Sequence, residues 1–177
     1  GMVRNPALSA PVTRDMNPVR RLRIGYLSAD FHDHAVMRLF SGVLEHHNHG
    51  DFEIHAFSYG ASDDGEMRRR LVAACDSFHD VSSLSLESLA RRIRAEDVDI
   101  LVDLTGWTGN TRSAVLGMRP APIQVNFLGY TGTLGSKVLA DYLIGDPVAT
   151  PLADQGKFAE SLALMPVCCQ PNDAGRR

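Results

Sequence analysis

The chain has 177 residues, of which 44% are hydrophobic and 22% charged, and its formal net charge is −3. This composition is ordinary for one globular domain with a sizeable core, and the slight acidity gives no indication of a nucleic-acid or anionic-membrane partner. No apolar run approaches the length of a membrane span, no signal peptide is visible, and the three cysteines form no CxxC spacing, so we expect reduced thiols in a cytoplasmic protein.

Residues 1–20 are polar and contain three prolines, so we expect a flexible arm or linker there. Strand-like and helix-like segments then alternate as far as residue 166. Strands are predicted at 22–29, 52–59, 78–81, 99–104, 123–128 and, more briefly, 142–144, and helices at 36–47, 65–77, 86–96 and 111–118. This alternation predicts an α/β fold with a doubly wound, mostly parallel Rossmann-like sheet. We expect residues 167–177 to belong to a truncated linker between this lobe and another.

The carboxyl ends of the predicted strands carry most of the polar residues that suggest chemistry. Right-handed crossovers place these ends along one edge of a parallel sheet, which is where open α/β folds bind their ligands. The segments concerned are 28–33, 59–64, 105–110 and 129–133. The last of them opens a loop with glycines at 129, 132 and 135, which is typical of backbone that approaches a ligand and equally of a tight connection.

Two carboxylates and two imidazoles follow the first strand, as Asp30, His32, Asp33 and His34. A carboxylate or imidazole at a strand's carboxyl end is suited to general acid–base catalysis. Structural roles are equally available, since Asp33 is a suitable N-cap for a helix that begins near Ala35 and Asp30 is able to bond loop amides. The pair of histidines around Asp33 lacks a further well-placed ligand, so we expect no metal there.

Other polar residues favour structural interpretations. The arginines at 68–70, 91, 92 and 94 are predicted to lie on solvated helix faces, and His55 and His79 are predicted to be structural. The histidines at 46–49 suit the negative end of a helix dipole. Trp107, the only tryptophan, lies in a Gly-flanked loop, where such a ring either stacks on a sugar or peptide or packs against an interface.

Several stretches, in the same order, resemble the protein O-GlcNAc transferase family, which includes the Spindly-type O-fucosyltransferases. They are RLRIGYLSADF at 21–31 with His34, the segment 100–108, RPAPIQ at 119–124 and LGYTGT at 128–133. The combination of RPAPIQ with LGYTGT is highly specific. The resemblance covers residues 21–166 and implies the N-terminal lobe of a two-lobed GT-B catalytic region.

The resemblance implies an inverting, metal-independent transfer of GlcNAc from UDP-GlcNAc to Ser or Thr hydroxyls of proteins, with no cofactor. It implies catalytic roles for Asp30 and His34, each a candidate general base. It implies substrate contacts for Asp33 and Trp107, and it places the sugar pocket at Leu128, Gly129, Tyr130 and Thr131. The partners implied are the donor, acceptor proteins, and a C-terminal lobe and tetratricopeptide repeats that this sequence lacks. The isolated lobe is therefore expected to be inactive.

The sequence departs from the family pattern at several of these positions. Thr131 replaces a proline, Trp107 replaces a tyrosine and Asp103 replaces an asparagine, while His32 and Asp33 stand where Gly-Asn is more usual. Two alternatives stay open at this point. One is a Spindly-type lobe with a fucosyl donor, and the other is a non-catalytic α/β binding module, although the sequence lacks both the acidic pair of a receiver domain and the phosphate loop of a flavodoxin.

Overall fold

A computed structural model describes residues 20–175 as a seven-stranded sheet flanked by helices. All strand pairs are parallel, and the strand order is β3-β2-β1-β4-β5-β6-β7. The predicted doubly wound Rossmann-like fold is therefore confirmed. The strands are β1 (Leu22–Ser28), β2 (Phe52–Ser58), β3 (Ser77–Asp80), β4 (Ile100–Asp103), β5 (Ile123–Asn126), β6 (Tyr142–Gly145) and β7 (Ser161–Leu164). The predicted arm lies, apart from Arg20, outside the described residues.

Three α-helices and two 3₁₀ helices connect the strands. The α-helices are α1 (Ala35–Glu45), α2 (Glu66–Ala73) and α3 (Leu86–Ala95), and the 3₁₀ helices span Ser113–Met118 and Leu152–Lys157. The segment predicted as a helix over 111–118 is thus shorter and more tightly wound, and α2 ends four residues before the predicted boundary at 77. None of the helices within 20–175 is long and apolar enough to cross a membrane.

Successive residues of β1 point to opposite faces of the sheet and build two cores. Tyr26 faces α1 and α2, where it meets Phe40 with the ring centroids 5.1 Å apart, whereas Leu27 faces α3 and the first 3₁₀ helix. Both residues are buried because β1 is covered on both sides, as expected for a central parallel strand. The cores fix the sheet between two helical layers and leave its carboxyl edge open to form a site.

The prediction that the arginines lie on solvated faces is wrong for three of them. Arg68 is 12% exposed, lies over the ring of Phe78, and donates to the carbonyl oxygen of Phe31. Arg70 pairs with Glu45, and Arg94 donates to the backbone at Met118 and Arg119. These guanidinium groups bridge elements that are distant in sequence, which helical periodicity alone does not reveal. Arg69, Arg91 and Arg92 are exposed, as predicted.

The segment after β7 returns to contact the rest of the lobe. The backbone N–H of Cys169 donates to Asp146 at the carboxyl end of β6, over 2.9 Å. Asp173 is buried and receives two hydrogen bonds from the Arg70 guanidinium, at 2.6 and 3.1 Å. Arg70 therefore links α1, through Glu45, to the segment that follows β7.

Asp76 connects the amino ends of β2 and β3. Its carboxylate accepts hydrogen bonds from the backbone of Ile54 (2.8 Å) and from the side chains of His49 and Arg21 (both 2.9 Å). Partial burial opposes ionisation, but these donors outweigh it and lower the pKa of Asp76 to about 2. The ionised Asp76 therefore stabilises the fold fully only at pH values at which this carboxyl is also ionised in the unfolded chain.

We expect Asp76→Asn to lower the free energy of unfolding by about 1–3 kcal/mol at pH 7, since hydrogen bonds to a charged group are lost. The folded-state pKa lies below the usual 3.8, so the carboxylate's contribution is complete above pH 3.8 and disappears as the pH falls toward 2. Urea unfolding of the wild type and of Asp76→Asn measures this effect. The difference between their free energies of unfolding should be smaller at pH 3 than at pH 7. Asp154→Asn, on an exposed pair with Lys157, is the control and should change stability by less than about 1 kcal/mol at both pH values.

Candidate active site

The carboxyl ends of four strands carry buried polar side chains. Ser28 ends β1, Ser58 ends β2, Asp103 ends β4 and Asn126 ends β5, and each is no more than 1% exposed. Between β1 and β4 the strand order reverses direction along the chain, and such a switch point forms the ligand crevice of open α/β sheets. The edge predicted from the sequence to carry chemistry is therefore the edge at which polar groups are concentrated.

Asp30 and His34 lie together just beyond β1. His34 is the N-cap of α1, and its Nδ1 accepts a hydrogen bond from the backbone N–H of Val36 over 3.2 Å. The same Nδ1 lies 3.7 Å from Oδ1 of Asp30, whose side chain is 16% exposed. A ring that keeps this cap carries its proton on Nε2, so that nitrogen of His34 acts as a hydrogen-bond donor.

Asp33 is not the N-cap of α1, so that structural interpretation is wrong. Its carboxylate forms two hydrogen bonds with the Arg38 guanidinium, at 2.8 and 3.0 Å, one turn into the helix. These bonds lower the pKa of Asp33. The side chain is 55% exposed, and Arg38 holds it at the surface.

Asp103 organises the loop that follows β4. Its Oδ1 accepts from the backbone N–H groups of Thr105 (3.0 Å) and Gly106 (3.3 Å), and its Oδ2 accepts from the hydroxyl of Ser113. The carboxylate is fully buried, and burial raises its pKa despite these donors, with the nearby charge of Asp30 adding to the rise. Asp103 therefore influences the site indirectly, because it fixes the backbone of the loop that follows β4.

Thr105 connects this loop to the end of β1. Its Oγ1 accepts the backbone N–H of Ala29 over 3.1 Å, one residue before Asp30. Tyr59, at the end of β2, approaches the same cluster and accepts the backbone N–H of Arg112 at its hydroxyl over 3.4 Å. Burial raises the pKa of Tyr59 to about 12, so the phenol is neutral at physiological pH. The ends of β1, β2 and β4 are thus tied into one polar cluster.

Two glycines allow the loops after β4 and β5 to touch. A Cβ on Gly129 would lie 2.1 Å from the carbonyl oxygen of Leu104, and one on Gly106 would lie 2.4 Å from Cβ of Tyr130. Gly106 also has φ of +56°, a conformation that other residues rarely adopt. Leu128 takes φ of +71° without being glycine, so the turn after β5 holds a strained residue beside this contact.

The Gly-rich loop after β5 is fixed from both sides. Asn126 donates from Nδ2 to the carbonyl oxygens of Tyr130 (3.2 Å) and Gly132 (2.9 Å). Glu160, fully buried just before β7, accepts from the Thr133 hydroxyl and from the backbone N–H of Leu134, both at 2.6 Å. The loop has its own internal order, while Thr131 at its tip is exposed.

Trp107 is held against this loop and still faces solvent. Its Nε1 donates to the carbonyl oxygen of Leu134 over 3.2 Å, and the residue is 43% exposed. The indole is therefore anchored to the Gly-rich loop while nearly half of its surface is available for contact. Asp30, His34 and Trp107 are brought to one edge with the residues from 128 to 131, whereas Asp33 is turned toward Arg38.

Sequence reasoning missed most of the residues that hold this site. Tyr59, Thr105, Arg112 and Glu160 act through contacts with distant parts of the chain, whereas Asn126 bonds the loop that follows it. Arg112, for example, donates to the carbonyl oxygens of Val81 and Leu84. Only the positions of Tyr59 and Thr105, in the predicted strand-end segments 59–64 and 105–110, offered a signal.

Comparison with known proteins assigns the chain to a family. A family model described as glycosyl transferase family 41 matches residues 2–172. The chain belongs to glycosyl transferase family 41. A solved structure of a mutant O-GlcNAc transferase from Thermobaculum terrenum superposes with a TM-score of 0.85 at 33% identity, covering 92% of this chain and 31% of that one. The family resemblance and the lobe fold expected from the sequence are confirmed.

Curated relatives agree with this assignment. The probable UDP-N-acetylglucosamine–peptide N-acetylglucosaminyltransferase SEC of Arabidopsis thaliana is 36% identical over 92% of this chain, and the Caenorhabditis elegans enzyme of that activity is 34% identical over 83%. The probable transferase SPINDLY of Arabidopsis thaliana is 32% identical over 86%. The matched region spans only 16%, 13% and 17% of these relatives.

We expect Gly129→Ala to destabilise this family 41 lobe by about 3 kcal/mol, the upper end of overpacking costs, because the new methyl group overlaps the carbonyl of Leu104. Gly109→Ala is the matched control, since its methyl group would meet no atom within 4 Å. Thermal and urea unfolding of both variants measure the difference. Equal stability of the two variants would contradict the close approach of the loops.

Proposed function

We propose that the chain is the N-terminal catalytic lobe of a protein O-GlcNAc transferase, which moves GlcNAc from UDP-GlcNAc to Ser or Thr hydroxyls of proteins. The observation that carries the proposal is the meeting of Asp30, His34, Trp107 and the loop at 128–131 at the carboxyl edge of a family 41 lobe. The names of the relatives support the donor and acceptor classes. A C-terminal lobe and tetratricopeptide repeats belong to the proposed full-length protein.

Asp30 is the proposed proton acceptor. In the reaction, the acceptor oxygen forms a bond to the anomeric carbon, the bond from that carbon to the phosphate oxygen breaks, and UDP leaves with the electron pair. The hydroxyl proton passes to a carboxylate oxygen of Asp30, directly or through one water molecule. Two observations support this role: the side chain is mostly shielded from solvent, and the His34 imidazole lies 3.7 Å from its carboxylate.

His34 is proposed to bind and orient substrate rather than to take the proton. Its Nδ1 is engaged with the backbone N–H of Val36, so the ring has a donor available at Nε2. To act as a base at Nδ1, it would have to break the cap of α1. An N–H donor directed at substrate is suited to holding the sugar or phosphate group while Asp30 accepts the proton.

The leaving diphosphate is assigned to the absent C-terminal lobe, which would supply basic groups or helix N-termini. The lobe alone is therefore proposed to be inactive. The three cysteines are free thiols, which fits the proposed cytoplasmic location.

We expect Asp30→Asn in the full-length protein to lower kcat for GlcNAc transfer by at least about 100-fold, the low end of general-base effects. The measurement is radiolabel transfer from UDP-GlcNAc to acceptor protein, with GDP-fucose in a parallel reaction to test the alternative donor. Asp51→Asn, in the exposed turn before β2, is the control and should retain activity. Unchanged transfer by Asp30→Asn would refute the role of Asp30 as proton acceptor. If the wild type transferred sugar from GDP-fucose but not from UDP-GlcNAc, GDP-fucose would be the donor.

His34→Asn and His34→Ala separate the capping role from the role in binding. Asparagine is a good N-cap and alanine is a poor one, so we expect only the alanine variant to lose stability, by about 1 kcal/mol. Both lack the imidazole donor, so both should lose transfer activity to a similar extent, mainly through a raised KM. If His34→Asn keeps wild-type kinetics, the histidine serves only to cap α1.

A further inference from the structure

Three side chains of types that bind metal ions meet on the face of the sheet that α3 covers. His55 comes from β2, His79 from β3, and Glu96 is the C-cap of α3. One ligand atom from each lies within 4.8 Å of the others. None of the three belongs to the proposed active site, and the inference below does not depend on the proposed function.

Two imidazole nitrogens in this cluster are buried without a hydrogen-bond partner among residues 20–175. They are Nδ1 of His55 and Nε2 of His79. Each faces the Glu96 carboxylate, at 3.7 and 3.8 Å respectively, which is too far for a hydrogen bond. The His55 side chain is only 3% exposed. Burying an unpaired polar atom is unfavourable, so two of them directed at one carboxylate are the arrangement expected of a cation-binding site.

The surroundings of His55 prepare its Nδ1 to bind a cation. Its Nε2 lies 3.0 Å from Oε1 of Glu53, and a carboxylate accepts rather than donates. In the neutral ring the proton is therefore on Nε2, and Nδ1 is left with a lone pair that faces Glu96. A histidine that donates to a carboxylate from one nitrogen and offers the other to the ion is the usual arrangement at protein metal sites.

His79 and Arg92 complete the cluster. The Arg92 guanidinium lies 3.0 Å from Nδ1 of His79 and 2.8 Å from Oε1 of Glu96, so it is the cation that now neutralises this carboxylate. Its side chain is 47% exposed and free to swing into solvent.

We propose that His55, His79 and Glu96 form a binding site for a divalent transition metal ion, with Zn²⁺ as the best match. Two imidazoles and one carboxylate, with water in the fourth position, are a common ligand set for zinc. Bonds of about 2.0–2.1 Å separate tetrahedral ligand atoms by roughly 3.3 Å, so small side-chain movements suffice. Binding displaces Arg92, moves the His79 proton to Nδ1 and joins β2 and β3 to α3.

The test is calorimetric titration of the chelator-treated 177-residue chain with ZnCl₂, with thermal unfolding measured in parallel. We expect one equivalent to bind and the melting temperature to rise. His79→Gln and Glu96→Gln should each weaken binding at least tenfold, whereas Arg92→Ala should strengthen it. His49→Gln removes a histidine that pairs with a carboxylate outside the cluster, and Arg91→Ala removes an arginine bound to Glu87, so both are matched controls that should bind as the wild type does.

Cobalt(II) gives a second readout that does not depend on the stability of the variants. Tetrahedral d–d absorption without thiolate-to-metal charge transfer supports the site, because the cluster offers only nitrogen and oxygen. Charge transfer would assign the metal to the cysteines and overturn the proposal. The absence of saturable zinc binding, or equal affinity of His79→Gln, Glu96→Gln and the wild type, would overturn it as well.

Discussion

The candidate site depends on one buried carboxylate at the end of β4. Asp103 collects two backbone N–H groups and a serine hydroxyl, and these bonds set the path of the loop that follows. Thr105 in that loop bonds the backbone beside Asp30, and Gly106 provides the surface on which Tyr130 packs. The positions of the residues after β1 and after β5 therefore both follow from the hydrogen bonds of a side chain that no substrate needs to touch.

This arrangement separates the residues exposed at the sheet edge from those that hold them in place. Asp30, His34 and Trp107 keep exposed atoms at the sheet edge, whereas Asp103 and Glu160 are fully buried and saturate loop amides and hydroxyls. A buried carboxylate is costly unless donors surround it, so each of the two fixes the geometry of its loop strongly. The loops at the carboxyl edge of the sheet are therefore held in place by polar contacts inside the lobe, before any ligand binds.

The sequence predicted the fold well because its signals were local. Periodicity and the spacing of glycines and prolines located the strands, and the parallel topology then implied that residues 28–33, 105–110 and 129–133 meet at one edge. It predicted the supporting residues poorly, since Arg68, Arg112 and Glu160 act across 26 to 37 residues of sequence. A surface arginine and a buried bridging arginine have the same helical spacing, so only the folded chain distinguishes them.

Glu160 also carries a consequence for how the lobe is made. The loop after β5 is completed by a carboxylate that lies immediately before the last strand, at the far edge of the sheet from β3. During synthesis, the ribosome therefore releases the Gly-rich loop well before the residue that fixes it. The loop acquires its final shape only when β7 joins the sheet, so the candidate site is completed together with the sheet.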